Sequence, residues 1–247
     1  MLEIQHLSVA YSGAPVFTDL SVNFASGRIT GIIGPNGAGK STMIKGALGL
    51  IKTQQGSATF DGQALSKHRG NIAYVEQHKD LDLSFPINVF DFVLSGTYAQ
   101  LGLFKSPGKR EHQRASAALE RVNLSEFRNR QIGGLSGGQL QRVFVARAIA
   151  QEAELVILDE PFVGIDMNSE QQIMTILHQW RDAGKTIVVV HHDLNKVSAY
   201  FDDLVVLNHG LIARGPVADT YTAANIQQAF SSDLSAVLFT DGGAQHE

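Results

Sequence analysis

The stretch IIGPNGAGKST, residues 32–42, sets Gly34, Gly37, Gly39 and Lys40 directly after an apolar run. Glycine is disfavoured inside strands and helices, so this much bare backbone marks a loop with unusual conformational needs. Gly34, Gly39, Lys40 and Ser41 fit G-x-x-x-x-G-K-[ST] between a strand pattern and a helical pattern. In a loop of Gly34, Pro35, Asn36, Gly37, Ala38, Gly39, Lys40, Ser41 and Thr42, the glycines let consecutive backbone N–H groups turn inward around phosphate oxygens. The positive end of the following helix adds its field. Lys40 would bring a fixed charge to the β- and γ-phosphates, and the Ser41 hydroxyl would coordinate magnesium. A glycine-rich turn matching by chance is the competing reading.

The rest of the chain narrows the choice. Its 247 residues, 44% hydrophobic, are enough for a packed core. A net charge of -4 argues against a general nucleic-acid surface, which needs clustered Lys and Arg. Without cysteine there are no disulfides, thiolate zinc sites or cysteine nucleophiles, as suits a reducing cytosol. The opening MLEIQHLSVAY alternates and carries Glu3 and His6, unlike a signal peptide. No apolar run approaches the roughly 18 residues of a membrane helix, so the chain is expected not to cross a bilayer. The nine histidines are scattered over unlike contexts and identify no cargo.

Short β-rich runs, LEIQHLSVAY, SVNF and ITGII, come first, and ATFDG ends in an Asp61-Gly62 turn signal. They predict a partly antiparallel N-terminal layer. NIAYVE, LVILDE, TIVVVHH and DLVVLN are rich in Val and Ile without alternation, as parallel strands buried on both faces should be. Ile173, Ile176, Leu177 and Trp180 form one helical stripe, read as core. Helical segments near 87–99, 109–123 and 137–150 make too long an excursion for a simple strand–helix unit, so a helical subdomain over about 78–150 is expected within an α/β core. Residues 231–247 read as a frayed tail after a domain spanning 1–230.

LVILDEP carries Asp159 and Glu160 to the C-terminal end of a strand, where ligands bind in open α/β sheets. Asp159 would hold magnesium, directly or through water, and Glu160 could orient and deprotonate the water attacking the γ-phosphate. Taken alone, an acidic pair ending a strand is structurally common.

With LSGGQ at 135–139 between the glycine loop and the carboxylate strand, the sequence resembles the ATP-binding subunits of ABC transporters. Ser136 is also a plausible helix N-cap before QLQRVFVARAIA. The resemblance implies a P-loop NTPase fold, an ABC ATPase core with a mainly parallel sheet, an N-terminal antiparallel layer and an inserted helical subdomain. It implies that Ser136, Gly137, Gly138 and Gln139 face the γ-phosphate of ATP held by a second copy in a head-to-tail dimer. Gln77 falls at the glutamine loop that senses magnesium and touches the membrane partner; an ordinary strand-ending polar residue is the plainer reading. Tyr11 falls where an aromatic ring stacks on adenine, with Val16 as apolar neighbour. In VVVHHDL the family pattern selects His192 as the γ-phosphate contact and leaves His191 without a catalytic part, since adjacent strand residues face opposite sides.

PFVGID departs from the Ser-Ala-Leu-Asp of many members but retains Asp166; the segment crosses the dimer interface, so Gly164 and Ile165 bear on coupling. EPFVGID, VVVHHDL and YFDDLVVLN look like the branch serving manganese, zinc or iron importers, manganese nearest. That implies transmembrane permease subunits, an extracellular or periplasmic metal-binding protein, no nucleic acid, and a peripheral place on the cytoplasmic membrane face. Phe85 and Phe90, with Asp82 and Asn88 as exposed neighbours, are candidates for the membrane contact, although subdomain core is the favoured reading of both aromatics. A soluble ABC ATPase of DNA repair or translation, an exporter subunit and a regulator without hydrolysis are the alternatives.

Overall fold

A computed structural model describes residues 1–11, 13–76, 85–101 and 105–230. Gln77, Asp82 and the 231–247 tail lie outside the described residues. In chain order the strands are β1 (Leu2–Tyr11), β2 (Ala14–Phe24), β3 (Arg28–Ile33), β4 (Gln55–Phe60), β5 (Gln63–Ala64), β6 (Ile72–Val75), β7 (Leu155–Asp159), β8 (Thr186–Val190), β9 (Asp203–Leu207) and β10 (Leu211–Pro216). The helices are α1 (Lys40–Ala47), α2 (Val89–Leu94), α3 (Lys109–Arg121), α4 (Gly137–Gln151), α5 (Met167–Asp182), α6 (Val197–Tyr200), α7 (Val217–Thr220) and α8 (Ala223–Ala229). The chain divides into two compact units. One comprises Met1–Lys67 with the described residues from Thr186 on; the other is His68–Lys185.

In the first unit β1 runs antiparallel to β2 and to β4, with Leu2 opposite both Phe24 and Phe60. The register shifts near His6 and Asp19, both at positive φ, are bulges that let long strands twist without losing the buried set Phe17, Leu20, Val22 and Phe24. Strand β2 starts at Ala14, well before the SVNF run; its first half, APVFTD, contains Pro15, is mostly exposed and carries no alternating signal. Asp61 and Gly62, at φ 48° and 75°, turn β4 into β5 as the Asp-Gly pair predicts.

Strand β3 lies between β8 and β9 and is parallel to both, and β10 closes antiparallel on β9. The non-alternating Val and Ile residues of β8 are buried throughout. Gly31 is needed on β3, since a Cβ there would stand 2.5 Å from the Phe201 ring. This parallel arrangement delivers the Gly34 loop and the His191-His192 pair at neighbouring strand ends: His191 N–H donates to Ile32 O at 2.9 Å.

In the second unit β6 and β7 pair in parallel, with Tyr74 opposite Ile157. Helix α4 is the hub against which α2 and α3 pack, through Val143, Phe144 and Val145; Phe92 meets Phe144 edge-on at 4.9 Å. The Ile173, Ile176, Leu177 and Trp180 stripe of α5 is buried as expected. The helix expected near 87–99 is α2 followed by a 3-10 turn, Ser95–Gln100. Gly96 there runs so close to α4 that a Cβ would lie 2.4 Å from Arg147 O, and the tighter coil accommodates that approach.

One reading of the aromatics is corrected. Phe85 is 63% exposed, so it is not subdomain core; it lies before the Asn88 cap of α2 and so outside that helix. Phe90 is half-buried, beneath the Arg128 guanidinium at 4.5 Å and beside His112 at 5.8 Å.

Candidate active site

The first unit carries the glycine loop. Gly37 and Gly39 take φ 83° and 94°, and a Cβ on Gly34 would stand 2.0 Å from Leu207 O. The loop is therefore shaped by conformations and approaches open only to glycine. Asn36 and Gly37 form an exposed lip, while Lys40 is buried beneath it and its Nζ donates to Gly34 O (2.8 Å) and Pro35 O (2.9 Å).

The first ladder bond of α1 is Met43 N–H to Gly39 O, which leaves the amides of Lys40, Ser41 and Thr42 ahead of the ladder. The other helices of seven residues or more have a capping side chain or an acid in the first turn; α1 has neither. An uncapped helix start with a lysine in its first turn is a strongly electropositive concavity, and it fits a polyphosphate.

Two supports of this cradle come from elsewhere in the same unit. Val16 and Phe17 lie 3.0 Å from where a Gly39 Cβ would be, so the β1–β2 hairpin abuts the loop, and Tyr11 stands on that hairpin 51% exposed. An exposed ring next to the cradle is available for stacking on a base. From the other side, His209 N–H donates to Ala38 O at 3.3 Å. Leu207 and His209 were not among the expected site residues. Their packing on the glycine loop joins residues far apart in the sequence.

His191 and His192 separate as their alternation predicts. His191 is 2% exposed, with its ring 5.5 Å from Phe201, whereas the His192 ring is exposed. Their ring centroids are 5.8 Å apart, His191 on the core side and His192 on the solvent side.

The second unit carries the carboxylates and the Ser-Gly-Gly-Gln helix start. Asp159, 4% exposed, ends β7 and accepts a hydrogen bond on Oδ2 from the Tyr74 hydroxyl at 3.3 Å. Glu160 follows at φ 52°, a left-handed conformation that costs a non-glycine residue about 1–3 kcal/mol. Ser136 caps α4 as expected: its Oγ accepts from Gln139 N–H at 3.3 Å, and Gln139 Oε1 accepts from Ser136 N–H at 3.0 Å. Gln139 is thus engaged in the capping box, while Ser136 and Gly137 are exposed.

Gly138 faces inward. A Cβ there would stand 2.5 Å from Ser169 Oγ and 2.8 Å from Asp166 Oδ2, so α4 starts directly against the cap of α5. Asp166 makes that cap, accepting from Ser169 N–H (2.9 Å) and Ser169 Oγ (2.8 Å), and these bonds hold its carboxyl below the ordinary range. Ser169 is a site neighbour that no motif pointed to.

Hard oxygen donors such as the Ser41 hydroxyl and the Asp159 carboxylate suit magnesium, which is commonly held by one or two protein oxygens and the phosphates of its nucleotide. Among the described residues no cluster of three or more His, Cys, Asp or Glu residues could hold a further metal ion.

Comparison with known proteins now adds to this geometry. The ABC transporter family profile matches residues 17–163, from beside the glycine loop to just past the carboxylates. The chain belongs to the ABC transporter family. It is 57% identical over 241 residues to the manganese transport system ATP-binding protein MntB of Listeria monocytogenes, covering 98% of this chain and all of that one. It is 45% identical to the zinc transport system ATP-binding protein TroB of Treponema pallidum, covering 99% of this chain and 92% of that one.

Among solved structures, an inward-facing metal-chelate type ABC transporter superposes with a TM-score of 0.81 at 29% identity, covering 93% of this chain and 88% of that one. A dimeric post-hydrolysis ATP-binding cassette bound to ADP and Pi superposes with a TM-score of 0.76 at 26% identity, covering 88% and 99%. The chain accordingly has the α/β fold of ABC ATPase cassettes, with parallel and antiparallel sheet plus helices, and is a nucleotide-binding ATPase. No helix among its described residues is long and apolar enough to cross a membrane.

Proposed function

We propose that this chain is the ATP-hydrolysing subunit of an importer of divalent transition metal, manganese in the first place, working on the cytoplasmic face of the membrane. The observation that carries the reading is the 57% identity to a manganese transport ATPase along essentially the whole of both chains. The glycine cradle and the strained Glu160 support retained hydrolysis over a regulator that only binds nucleotide. Two copies pair head to tail, as the dimeric cassette relative supports, and they drive transmembrane permease subunits fed by an external metal-binding protein. Residues of about 78–150, Phe85 and Phe90 among them, form the helical subdomain that meets the permease; Gln77, outside the described residues, belongs to that contact by its place in the motif order.

In this reading the backbone N–H groups of the 34–42 loop, Pro35 apart, and the Lys40 ammonium hold the β- and γ-phosphates, and Tyr11 with Val16 takes the adenine. Ser41 and Asp159 would hold magnesium, with Gln77. Bound magnesium neutralises charge developing on the phosphate oxygens. Glu160 orients the attacking water and takes its proton. His192 contacts the γ-phosphate and favours its spreading charge. Ser136, Gly137 and the start of α4 face the γ-phosphate on the second copy, with Gln139 bracing that turn and Asp166 lining the approach.

Co-purifying the chain with its permease and measuring ATP-driven uptake of manganese, zinc and iron into vesicles tests the assignment. Manganese uptake abolished by Glu160→Gln is the expected result. Uptake of zinc alone would move the chain to the zinc branch, and ATP turnover stimulated by duplex DNA with no metal uptake would overturn the transport reading.

A further inference from the structure

Tyr74 stands on β6 opposite Ile157 of β7, and Asp159 lies two residues further along the same face. The phenol oxygen is 3.3 Å from Asp159 Oδ2. A phenol carries its proton at neutral pH, so the hydroxyl donates and the Asp159 oxygen accepts. Packing does not fix the ring on all sides. A cavity of about 260 Å³ lies between β6 and α4, lined by Tyr74 with Ser95, Gly96, Phe144 and Arg147. A ring with free volume beside it takes its orientation from the bond at its tip.

We propose that Tyr74 is a positioning residue for Asp159, its O–H on Oδ2 fixing the orientation in which the carboxylate meets the magnesium of Mg-ATP. The proposal rests on the reading of Asp159 as a magnesium carboxylate. A hydroxyl donor on a ligating carboxylate fixes its rotamer at small energetic cost, and loss of such outer partners typically weakens metal affinity by about 10–100-fold.

ATP affinity of the purified full chain, measured first in EDTA and then across a magnesium titration, tests this without relying on turnover. Tyr74→Phe is expected to keep the parental affinity in EDTA and to need about tenfold more magnesium for the half-maximal gain. Asp159→Asn is measured alongside. If Asp159→Asn responds to magnesium as the parent does, the magnesium reading of Asp159 fails and the proposal falls with it. If Asp159→Asn loses the response while Tyr74→Phe retains it in full, only the role of Tyr74 is overturned. Loss of ATP affinity by Tyr74→Phe in EDTA would mean that the hydroxyl supports the fold generally, which also overturns the proposal.

Discussion

Lys40 and Glu160 are charged residues in different situations, and their substitutions should separate binding from chemistry. The Lys40 ammonium is buried under the loop and held by two carbonyls, so its field is little screened by water. Removing a charged hydrogen-bonding group of this kind costs about 1.5–3 kcal/mol, so Lys40→Ala should weaken ATP binding by about tenfold or more. Glu160→Gln keeps the shape and the left-handed backbone but removes the base. It should bind ATP as the parent does, lose about 10²–10⁴-fold in turnover and accumulate as an ATP-bound dimer. Equilibrium ATP binding, phosphate release and size-exclusion chromatography with ATP read the three outcomes, and undiminished phosphate release by Glu160→Gln would contradict its role. At the same scale, the two histidines show how one residue of strand register divides a motif: His192 opens to solvent and His191 packs against Phe201.

Helix starts divide the labour among elements. Helices α2, α4 and α5 each have a first-turn amide capped by a side chain, Asn88, Ser136 and Asp166, whereas α1 has no side-chain cap. The cap of α5 carries a pH signature. Hydrogen bonds, first from Ser169 N–H and then from its hydroxyl, depress the folded-state pKa of Asp166 below the ordinary 3.8. The stability this contributes is present above the ordinary value and is lost as pH falls through the depressed one. In acid titrations followed by circular dichroism, the parent should therefore lose stability below about pH 4 in part through this group. Asp166→Asn should lack that portion and start from a lower neutral-pH stability; identical acid profiles would show that the cap does not depend on charge. Because Gly138 packs on this cap, the same substitution tests whether the start of α4 is braced by α5.

In the molecule as a whole, the buried β3, β8 and β9 group and the α5 stripe account for why the motifs stand on firm supports. Ile173 is fully buried, and Ile173→Ala should cost about 2–5 kcal/mol of stability, read by chemical denaturation, with ATP affinity in the remaining folded fraction unchanged. A cost well under that range would mean that α5 relaxes around the cavity. Much of this architecture was legible in one dimension. Non-alternating Val and Ile runs, the Asp61-Gly62 turn and the glycines before Lys40 each encode their structure locally, through burial on two faces or through a backbone conformation only glycine reaches. Illegible were contacts made by residues far apart in the chain: Tyr74 on Asp159, Leu207 against Gly34, Ser169 under Gly138. Phe85 was misread because an aromatic's burial depends on what folds over it, and this ring stays 63% exposed among the described residues. The sequence by itself determined which elements form and the kinship with ATP-driven transporters, since periodicity and motif order are properties of neighbours along the chain. Only the tertiary structure decided what braces each functional group, because bracing is set by strand register and helix packing, which join residues that the sequence keeps apart.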